Sequence, residues 1–183
     1  MTGGTASGAG AQKNPLPPLF AARLKPGDTV GLTAPASHAE GTFGAADRND
    51  GLESGGRDTS GPGRADAAGF EPEPESRAAA LMTDFFAGLG LAVRFGETLR
   101  SRHGYLAGTD ELRAAELNAM FADPGIQAIV CARGGYGSAR IADLLDYDVI
   151  ARNPKPFWGY SDITFLHHAI RARTGLVTMH GPM

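Results

Sequence analysis

The sequence predicts an α/β protein whose mostly parallel, doubly wound sheet is covered by helices on both faces. Short apolar runs alternate along the chain with stretches of helical periodicity, which is the order of elements found in parallel sheets. The run IQAIVCA (126–132) is almost continuously apolar, as expected of a strand with both faces covered. Two motifs, one rich in glycine and one containing serine, each follow a predicted strand, so both should lie at the ligand-binding edge of such a sheet.

The predicted strands are short apolar runs bounded by turn residues. The first, DTVGLTAP, contains β-branched residues and ends at Pro35, which lacks the N–H group that a sheet hydrogen bond needs. In chain order, strands are predicted over 28–35, 91–95, 126–132, 156–160 and 176–179.

The helices predicted between these strands cover 76–90, 109–124, 137–145 and 162–175. The first should begin at a Ser76 N-cap and stop at Gly90. Its large apolar residues recur at four-residue spacing, which indicates one apolar face made by Leu81, Phe85 and Leu89. The second has acidic residues in its first turn and Pro124 just beyond its end. Its apolar face contains Leu117, Met120 and Phe121.

Two stretches should lie outside the core. Residues 1–18 are rich in Gly, Ala, Ser, Thr and Pro and predict a disordered tail. Residues 38–76 contain nine acidic residues and three arginines, with few large apolar side chains. This composition predicts a disordered insertion, with an acidic interaction segment as the alternative. The expected organisation is therefore one α/β domain over 19–183, interrupted by the insertion.

Composition excludes several classes of function. The formal net charge is −3 and no block of Lys and Arg stands out, so a nucleic-acid partner is not expected. No apolar run reaches the roughly 18 residues of a membrane span, and no membrane partner is expected. The N-terminus lacks the basic and apolar regions of a signal peptide, which makes the cytoplasm the expected compartment. The single cysteine, Cys131, leaves no intrachain disulfide.

The motif RGGYGSAR (133–140) follows the third predicted strand and opens a helix. Glycines at 134, 135 and 137 allow a tight turn with positive φ and close approach of a ligand. Free N–H groups at such a turn can hold a phosphate, a carboxylate or a developing oxyanion. The motif has neither the Lys-Ser/Thr pair of a phosphate-binding P-loop nor the dinucleotide pattern GxGxxG. A purely structural turn is an equally good interpretation.

The motif GYSD (159–162) joins the fourth predicted strand to a helix. A serine at such a corner can present its hydroxyl above the sheet edge as a nucleophile, with the next N–H helping to bind an oxyanion. Only half of the pattern GxSxG is present, because residue 163 is Ile. Ser161 is equally well suited to be the N-cap of the following helix.

A nucleophilic serine needs a base, and the chain offers five histidines. His38 lies at the edge of the insertion and His103 in a polar loop. His167 and His168 lie two turns along the helix that follows GYSD, on different faces, and should not reach back to its start. His180 follows the last strand and is the only local candidate, although a structural role is more common there. No Cys, His or Asp grouping has metal-ligand spacing.

Three segments together resemble the LD-carboxypeptidase family of serine peptidases, which includes murein tetrapeptide carboxypeptidases and the microcin C immunity peptidase. They are PGDTVGLTAPAS (26–37), the stretch 104–140 that ends in RGGYGSAR, and the stretch 153–183 that contains GYSD. The similarity keeps the family's order of segments. It implies a flavodoxin-like or class I glutamine-amidotransferase-like N-terminal domain.

The resemblance also implies roles for individual residues. Ser161 corresponds to the nucleophile, and the backbone N–H groups of Gly134 or Gly135 and of Asp162 correspond to the oxyanion hole. The implied reaction is hydrolysis of the bond to a terminal D-amino acid, usually the D-alanine of a murein tetrapeptide. No metal or organic cofactor is implied, and a homodimer of the full-length protein is expected.

The chain departs from the family pattern in one important respect. Family members carry a second domain after HGPM that supplies the Glu and His of the triad, and this sequence stops there. We therefore expect little or no peptidase activity from these residues alone. Two alternatives stay open: an immunity-type peptidase or amidase that cleaves an aminoacyl-nucleotide antibiotic, and a non-catalytic anion-binding module or truncated relic.

Overall fold

The computed structural model describes residues 16–39 and 77–181 and confirms the predicted α/β fold. Five strands form one sheet in which every neighbouring pair is parallel. Of the predicted insertion, only His38 and Ala39 are among the described residues; of the predicted tail, only residues 16–18 are.

The strands of the sheet are β1 (Thr29–Thr33), β2 (Ala92–Phe95), β3 (Ala128–Cys131), β4 (Phe157–Gly159) and β5 (Met179–His180).

The strand order is β2-β1-β3-β4-β5, as in flavodoxin-like sheets. From β1 the chain crosses first to one side, to β2, and later builds the other side through β3, β4 and β5. The order therefore reverses between β1 and β3. In such sheets, ligands bind beyond the carboxyl ends of the strands at this switch point.

The last predicted strand is corrected by the structure. The prediction covered 176–179, whereas β5 consists of Met179 and His180, paired with Trp158 and Gly159 of β4. Leu176 instead forms a parallel bridge with Leu19. The N-terminal segment thus takes the hydrogen-bonding positions that a longer β5 would have used, since Leu19 N–H donates to the Gly175 carbonyl at 2.7 Å.

Five α-helices connect the strands of the described part. They are α1 (Arg77–Gly88), α2 (Asp110–Ala122), α3 (Ser138–Ile141), α4 (Tyr147–Arg152) and α5 (Thr164–Thr174). The sequence did not predict α4. Its signal was the N-cap Asp146, whose carboxylate accepts a hydrogen bond from Val149 N–H at 2.9 Å. The predicted helix 137–145 is α3 followed by a 3₁₀ turn over Ala142–Leu144.

The buried face of α1 differs from the prediction. Leu81, Phe85 and Leu89 are 56%, 60% and 57% exposed, and the helix instead buries Ala79 and Phe86. The small Ala79 lets the helix lie close to β1 and β2, which leaves the larger side chains outside the contact. Gly90, where the helix was predicted to stop, has φ of +74°, a conformation that is common just beyond helix C-termini. The Ser76 N-cap lies outside the described residues.

The core has two layers, one on each face of the sheet. On one face, α2, α4 and α5 pack over Ile129, Cys131 and Phe157. Leu117, Met120 and Phe121 of α2 are buried in this layer, as predicted. On the other face, α1 covers the region around Val30 and Phe95. Among the described residues, this second layer covers only the β1–β2 half of the sheet.

Candidate active site

Ser161 has an unusual backbone conformation. It directly follows β4 and begins a 3₁₀ turn over Ser161–Ile163 that leads into α5. Among the described residues other than glycine, it is the only one with positive φ, at 59°. This conformation costs about 1 kcal/mol or more in a residue with a side chain and is typical of a nucleophile at a sharp strand-to-helix turn.

The alternative role of Ser161 as a helix cap does not fit this geometry. The N-cap of the 3₁₀ turn is Tyr160, and the N-cap of α5 is Ile163; neither position has a side-chain capping bond. Ser161 is exposed, and its hydroxyl forms no hydrogen bond with another described residue. The hydroxyl is therefore available at the carboxyl edge of the sheet.

The glycine loop after β3 lies against this corner. A Cβ atom placed on Gly134 would lie 2.7 Å from Ser161 Cβ and 3.0 Å from the Tyr160 carbonyl oxygen. Any side chain at residue 134 would therefore displace the serine. An open cavity of about 390 Å³ lies between the loop and the corner, lined by Arg133, Gly134, Gly135, Tyr160 and Ser161.

A third strand end contributes Ser37, which the sequence analysis quoted within PGDTVGLTAPAS but gave no role. Gly135 has φ of +119°, and a Cβ atom there would lie 2.2 Å from the Ser37 hydroxyl oxygen. That hydroxyl accepts a hydrogen bond from Tyr136 N–H at 3.0 Å. The N–H groups of Gly134 and Gly135 form no hydrogen bond with the rest of the described chain. Ser37 thus fixes the loop while these two N–H groups stay available to a ligand.

Asp162 joins the serine corner to the start of α3. Its carboxylate accepts from Ser138 N–H at 2.8 Å, and its carbonyl oxygen accepts from the Ser138 hydroxyl at 2.5 Å. Two hydrogen bonds therefore hold the residue after the glycine loop to the residue after Ser161. The oxyanion role foreseen for the backbone N–H of Asp162 stays a prediction.

Arg113 holds the same loops through hydrogen bonds to their backbone. The sequence analysis gave this residue no role. Its side chain is fully buried and donates to the carbonyl oxygens of Pro35 at 2.6 Å and Gly137 at 2.9 Å. It is also paired with Asp110, which binds Arg140 at 2.7 Å. The hydrogen bond from Arg140, with the nearby charge of Arg113, holds the pKa of Asp110 below its usual value. The carboxylate therefore stays ionised beside both guanidinium groups.

The histidines lie as the helix geometry predicted, with His167 buried and His168 exposed. The Nε2 atom of His167 lies 2.9 Å from the Gly159 carbonyl oxygen, and Nδ1 lies 2.8 Å from the Thr178 hydroxyl. Burial lowers the pKa of this imidazole, which favours the neutral form. The His180 ring lies 5.9 Å from the His167 ring. Neither of these two rings is hydrogen-bonded to Ser161, so the described residues do not form a triad.

Metal-binding and thiol chemistry find little support in the described ranges 16–39 and 77–181. These ranges contain no group of three or more His, Cys, Asp or Glu side chains that could hold a metal ion. Cys131 is fully buried in the core, and burial raises the pKa of its thiol. No helix within the same ranges has the length and apolarity to cross a membrane.

A serine at a strained strand-to-helix corner of a parallel sheet, facing free backbone N–H groups, is the geometry of α/β proteins that form acyl intermediates. The model of the LD-carboxypeptidase N-terminal domain matches residues 64–181. The chain belongs to the LD-carboxypeptidase family, as the sequence motifs predicted.

Similar proteins come from several bacteria. A probable murein peptide carboxypeptidase of Bacillus subtilis is 43% identical over 160 residues, which are 87% of this chain and 39% of the relative. The microcin C7 self-immunity protein MccF of Escherichia coli is 45% identical over 78 residues, 43% of this chain and 23% of the relative. The crystal structure of an MccF-like protein from Bacillus anthracis superimposes with a TM-score of 0.67 at 29% identity, covering 90% of this chain and 40% of the other. This chain thus spans about two fifths or less of the length of these relatives.

Proposed function

We propose that this chain is the nucleophile-bearing part of a serine LD-carboxypeptidase that removes the terminal D-amino acid from murein tetrapeptides. The observation that supports this proposal most strongly is the geometry of Ser161. The residue is held at positive φ, and it faces the glycine loop in an open cavity. Family membership supports a carboxypeptidase, and the B. subtilis relative is a probable murein peptide carboxypeptidase. We propose the cytoplasm as its compartment, because the chain has one cysteine and hence no intrachain disulfide.

In this mechanism the Ser161 hydroxyl oxygen attacks the carbonyl carbon that precedes the terminal D-residue. Negative charge develops on the carbonyl oxygen and is stabilised by the N–H of Gly134 or Gly135 together with that of Asp162. Collapse of the tetrahedral intermediate breaks the C–N bond, and the D-amino acid leaves after its nitrogen is protonated. Water then hydrolyses the serine ester. The base that accepts the serine proton comes from the part of the protein that the relatives carry beyond this match.

Arg133 supports a substrate with a free carboxylate. Among the five residues that line the cavity, it is the only charged one, and its side chain is exposed. Its Nη1 atom donates to the His38 carbonyl oxygen at 3.0 Å, which anchors the guanidinium by one of its nitrogens. A guanidinium can donate two parallel hydrogen bonds to a carboxylate. We propose that Arg133 binds the carboxylate of the terminal D-residue.

The test uses this chain fused to the portion that the B. subtilis relative carries beyond the matched residues. Mass spectrometry follows the release of D-alanine from murein tetrapeptide. We expect release by the fusion, loss with Ser161→Ala, and normal release with the matched control Ser101→Ala, whose hydroxyl binds only the nearby Glu97 carbonyl oxygen. Arg133→Met should raise KM by about tenfold or more and change kcat less.

Three results would contradict the proposal. Release that persists in the Ser161→Ala fusion would remove Ser161 as the nucleophile. Rapid release by the 183-residue chain alone would contradict the absence of a base and would make His180 the candidate base. A fusion that binds tetrapeptide without cleaving it would favour an anion-binding module.

A second candidate is an immunity-type peptidase that cleaves an aminoacyl-nucleotide antibiotic. It is favoured by the similarity to MccF and by the TM-score of 0.67 with the MccF-like structure. The same fusion should be given an aminoacyl sulfamoyl adenosine alongside the tetrapeptide. A much larger kcat/KM for the nucleotide substrate would identify this second function.

A further inference from the structure

In the part of the chain that the structure describes, one half of the sheet is uncovered on the α1 side. The strands of an all-parallel sheet are normally covered by helices on both faces. Here α1 packs over β1 and β2, whereas α2, α4 and α5 all pack on the opposite face. Within residues 16–39 and 77–181, no element covers the α1 side of β3, β4 and β5. The described residues therefore leave this half-face without the second layer that is usual in such folds.

The uncovered half-face forms an apolar groove. Its floor includes Trp158, which is 38% exposed, and Met179, which is 39% exposed. One wall contains Phe85 of α1 and Leu89 just beyond its end, which explains why these large side chains face away from the core. The other wall is the segment 20–24, and Arg23 is the only charged residue in the lining. The groove has a volume of about 880 Å³, and we call it the sheet-face groove.

We infer that the sheet-face groove binds an apolar helix from the portion of the polypeptide that the relatives carry beyond the region matched here. Three fifths of the B. anthracis structure lies outside the superimposed part, so this family's fold includes enough additional chain to supply such an element. A helix is the element that covers parallel strands in doubly wound folds. The lone Arg23 in the lining predicts an acidic residue on the helix opposite it.

Two other occupants fit the groove less well. A murein peptide is polar and carries charges, which an apolar lining with a single arginine would leave without partners. A second copy of this chain, related by two-fold symmetry, would bring the same concave surface against itself. Two concave surfaces leave voids that close packing does not tolerate.

The groove is connected to the candidate active site through Tyr160. This side chain lines both the groove and the cavity that contains Ser161. A helix seated in the groove would thus lie next to the residue that directly precedes Ser161. This connection rests on the proposed function, whereas the docking itself does not.

The chain contains one tryptophan, and it lies in the groove, so Trp158 fluorescence reports directly on the occupant. The binding partner is the portion of the B. subtilis relative beyond the matched residues, produced separately with its own tryptophans replaced by phenylalanine and used only after circular dichroism and a cooperative thermal melt show that it is folded. Its addition should shift Trp158 emission to shorter wavelength and protect the indole from acrylamide quenching. Met179→Asp and Phe85→Asp should each weaken binding about tenfold or more, because each places a carboxylate in an apolar interface.

Phe165→Asp is the matched control. Phe165 is 59% exposed on α5, on the opposite face of the sheet, and is absent from the groove lining. Its substitution should leave the affinity within about twofold of the unsubstituted chain. Circular dichroism melts of the three variants alone should agree, since all three positions are solvent-exposed.

Several outcomes would overturn the inference. These are no protection of Trp158 by the added portion, unchanged binding by the two groove variants, or equal weakening by the control. A chain that is dimeric by light scattering and becomes monomeric with Met179→Asp would assign the groove to a second copy. Protection of Trp158 in the chain alone that disappears when residues 40–76 are deleted would assign it to that segment. If Ser161→Ala leaves both the docking and the release of D-alanine unchanged, the proposed function is contradicted and the docking inference is not.

Discussion

Arg113 offers a sharp test of how the site loops are held, through the substitution Arg113→Met. Methionine keeps an unbranched side chain of similar length but has no donors. In the folded chain the Arg113 guanidinium donates to the carbonyl oxygens of Pro35 and Gly137 and pairs with Asp110, and its side chain is fully buried. The substitution therefore leaves two carbonyl groups in the interior without these donors.

The expected loss can be worked from these contacts. A buried polar group that loses its partner destabilises by about 1–3 kcal/mol, and two carbonyls are affected. Asp110 keeps its ion pair with Arg140, so no buried carboxylate is left without a partner. Arg113 Nε has no hydrogen-bond partner among the described residues, and its removal offsets part of the loss. We expect a net decrease of about 3 kcal/mol in the free energy of unfolding, a large fraction of the roughly 5–15 kcal/mol typical of a domain.

Urea denaturation followed by far-ultraviolet circular dichroism measures this loss. With a slope of about 1–3 kcal/mol/M, the midpoint should fall by roughly 1–3 M. The matched control is Arg152→Met at the exposed end of α4, which should change stability by less than about 0.5 kcal/mol. Arg113→Lys should lie between the two, since an ammonium group keeps the charge but not the planar set of donors. Equal midpoints for Arg113→Met and Arg152→Met would refute the reasoning.

The remaining predictions concern the loop glycine, the buried thiol and the buried imidazole. Gly135→Ala should destabilise by about 1–3 kcal/mol in urea denaturation, because positive φ and a clash with Ser37 act together. Gly27→Ala, at φ of +92° with open space around it, should lose less, and equal losses would show that the clash contributes nothing. Cys131 should react with iodoacetamide only after unfolding, since burial raises its pKa; rapid labelling of the native chain in a mass-spectrometric assay would contradict this. Burial lowers the pKa of His167, so the unfolded chain binds the extra proton first as the pH falls below about 6.5. Thermal stability should therefore decrease from pH 7 to pH 5, and His167→Gln should flatten that decrease.

The sequence predicted the fold where a local signal agreed with the tertiary structure. Gly90 and Gly175 both have positive φ at the ends of predicted helices, and α2 begins one residue after its N-cap Thr109. The prediction was wrong for the apolar face of α1, because spacing alone does not reveal which side of an amphipathic helix meets the sheet. Phe85 and Leu89 recur at helical spacing, but their side chains line the groove and do not pack in the core.

The candidate site was predicted in part for a related reason. Ser161 and Gly134 lie in short motifs at strand ends, where the pattern GYSD and the run of glycines are visible in the sequence. Ser37 and Arg113 act through contacts with residues that are distant in sequence, at 99 positions from Tyr136 and 78 positions from Pro35. A serine after a strand and an arginine within a helix carry no local signal for such contacts. Only the folded chain reveals them.

The strain at Ser161 explains why these distant contacts matter. A residue with a side chain persists at positive φ only where its surroundings hold it there. Gly134 allows the loop to approach the corner, and the two bonds between Ser138 and Asp162 prevent the corner from relaxing away from α3. Arg113 in turn ties this loop to the end of β1. Contacts among the described residues therefore hold Ser161 in this conformation and place the N–H groups of the glycine loop beside it.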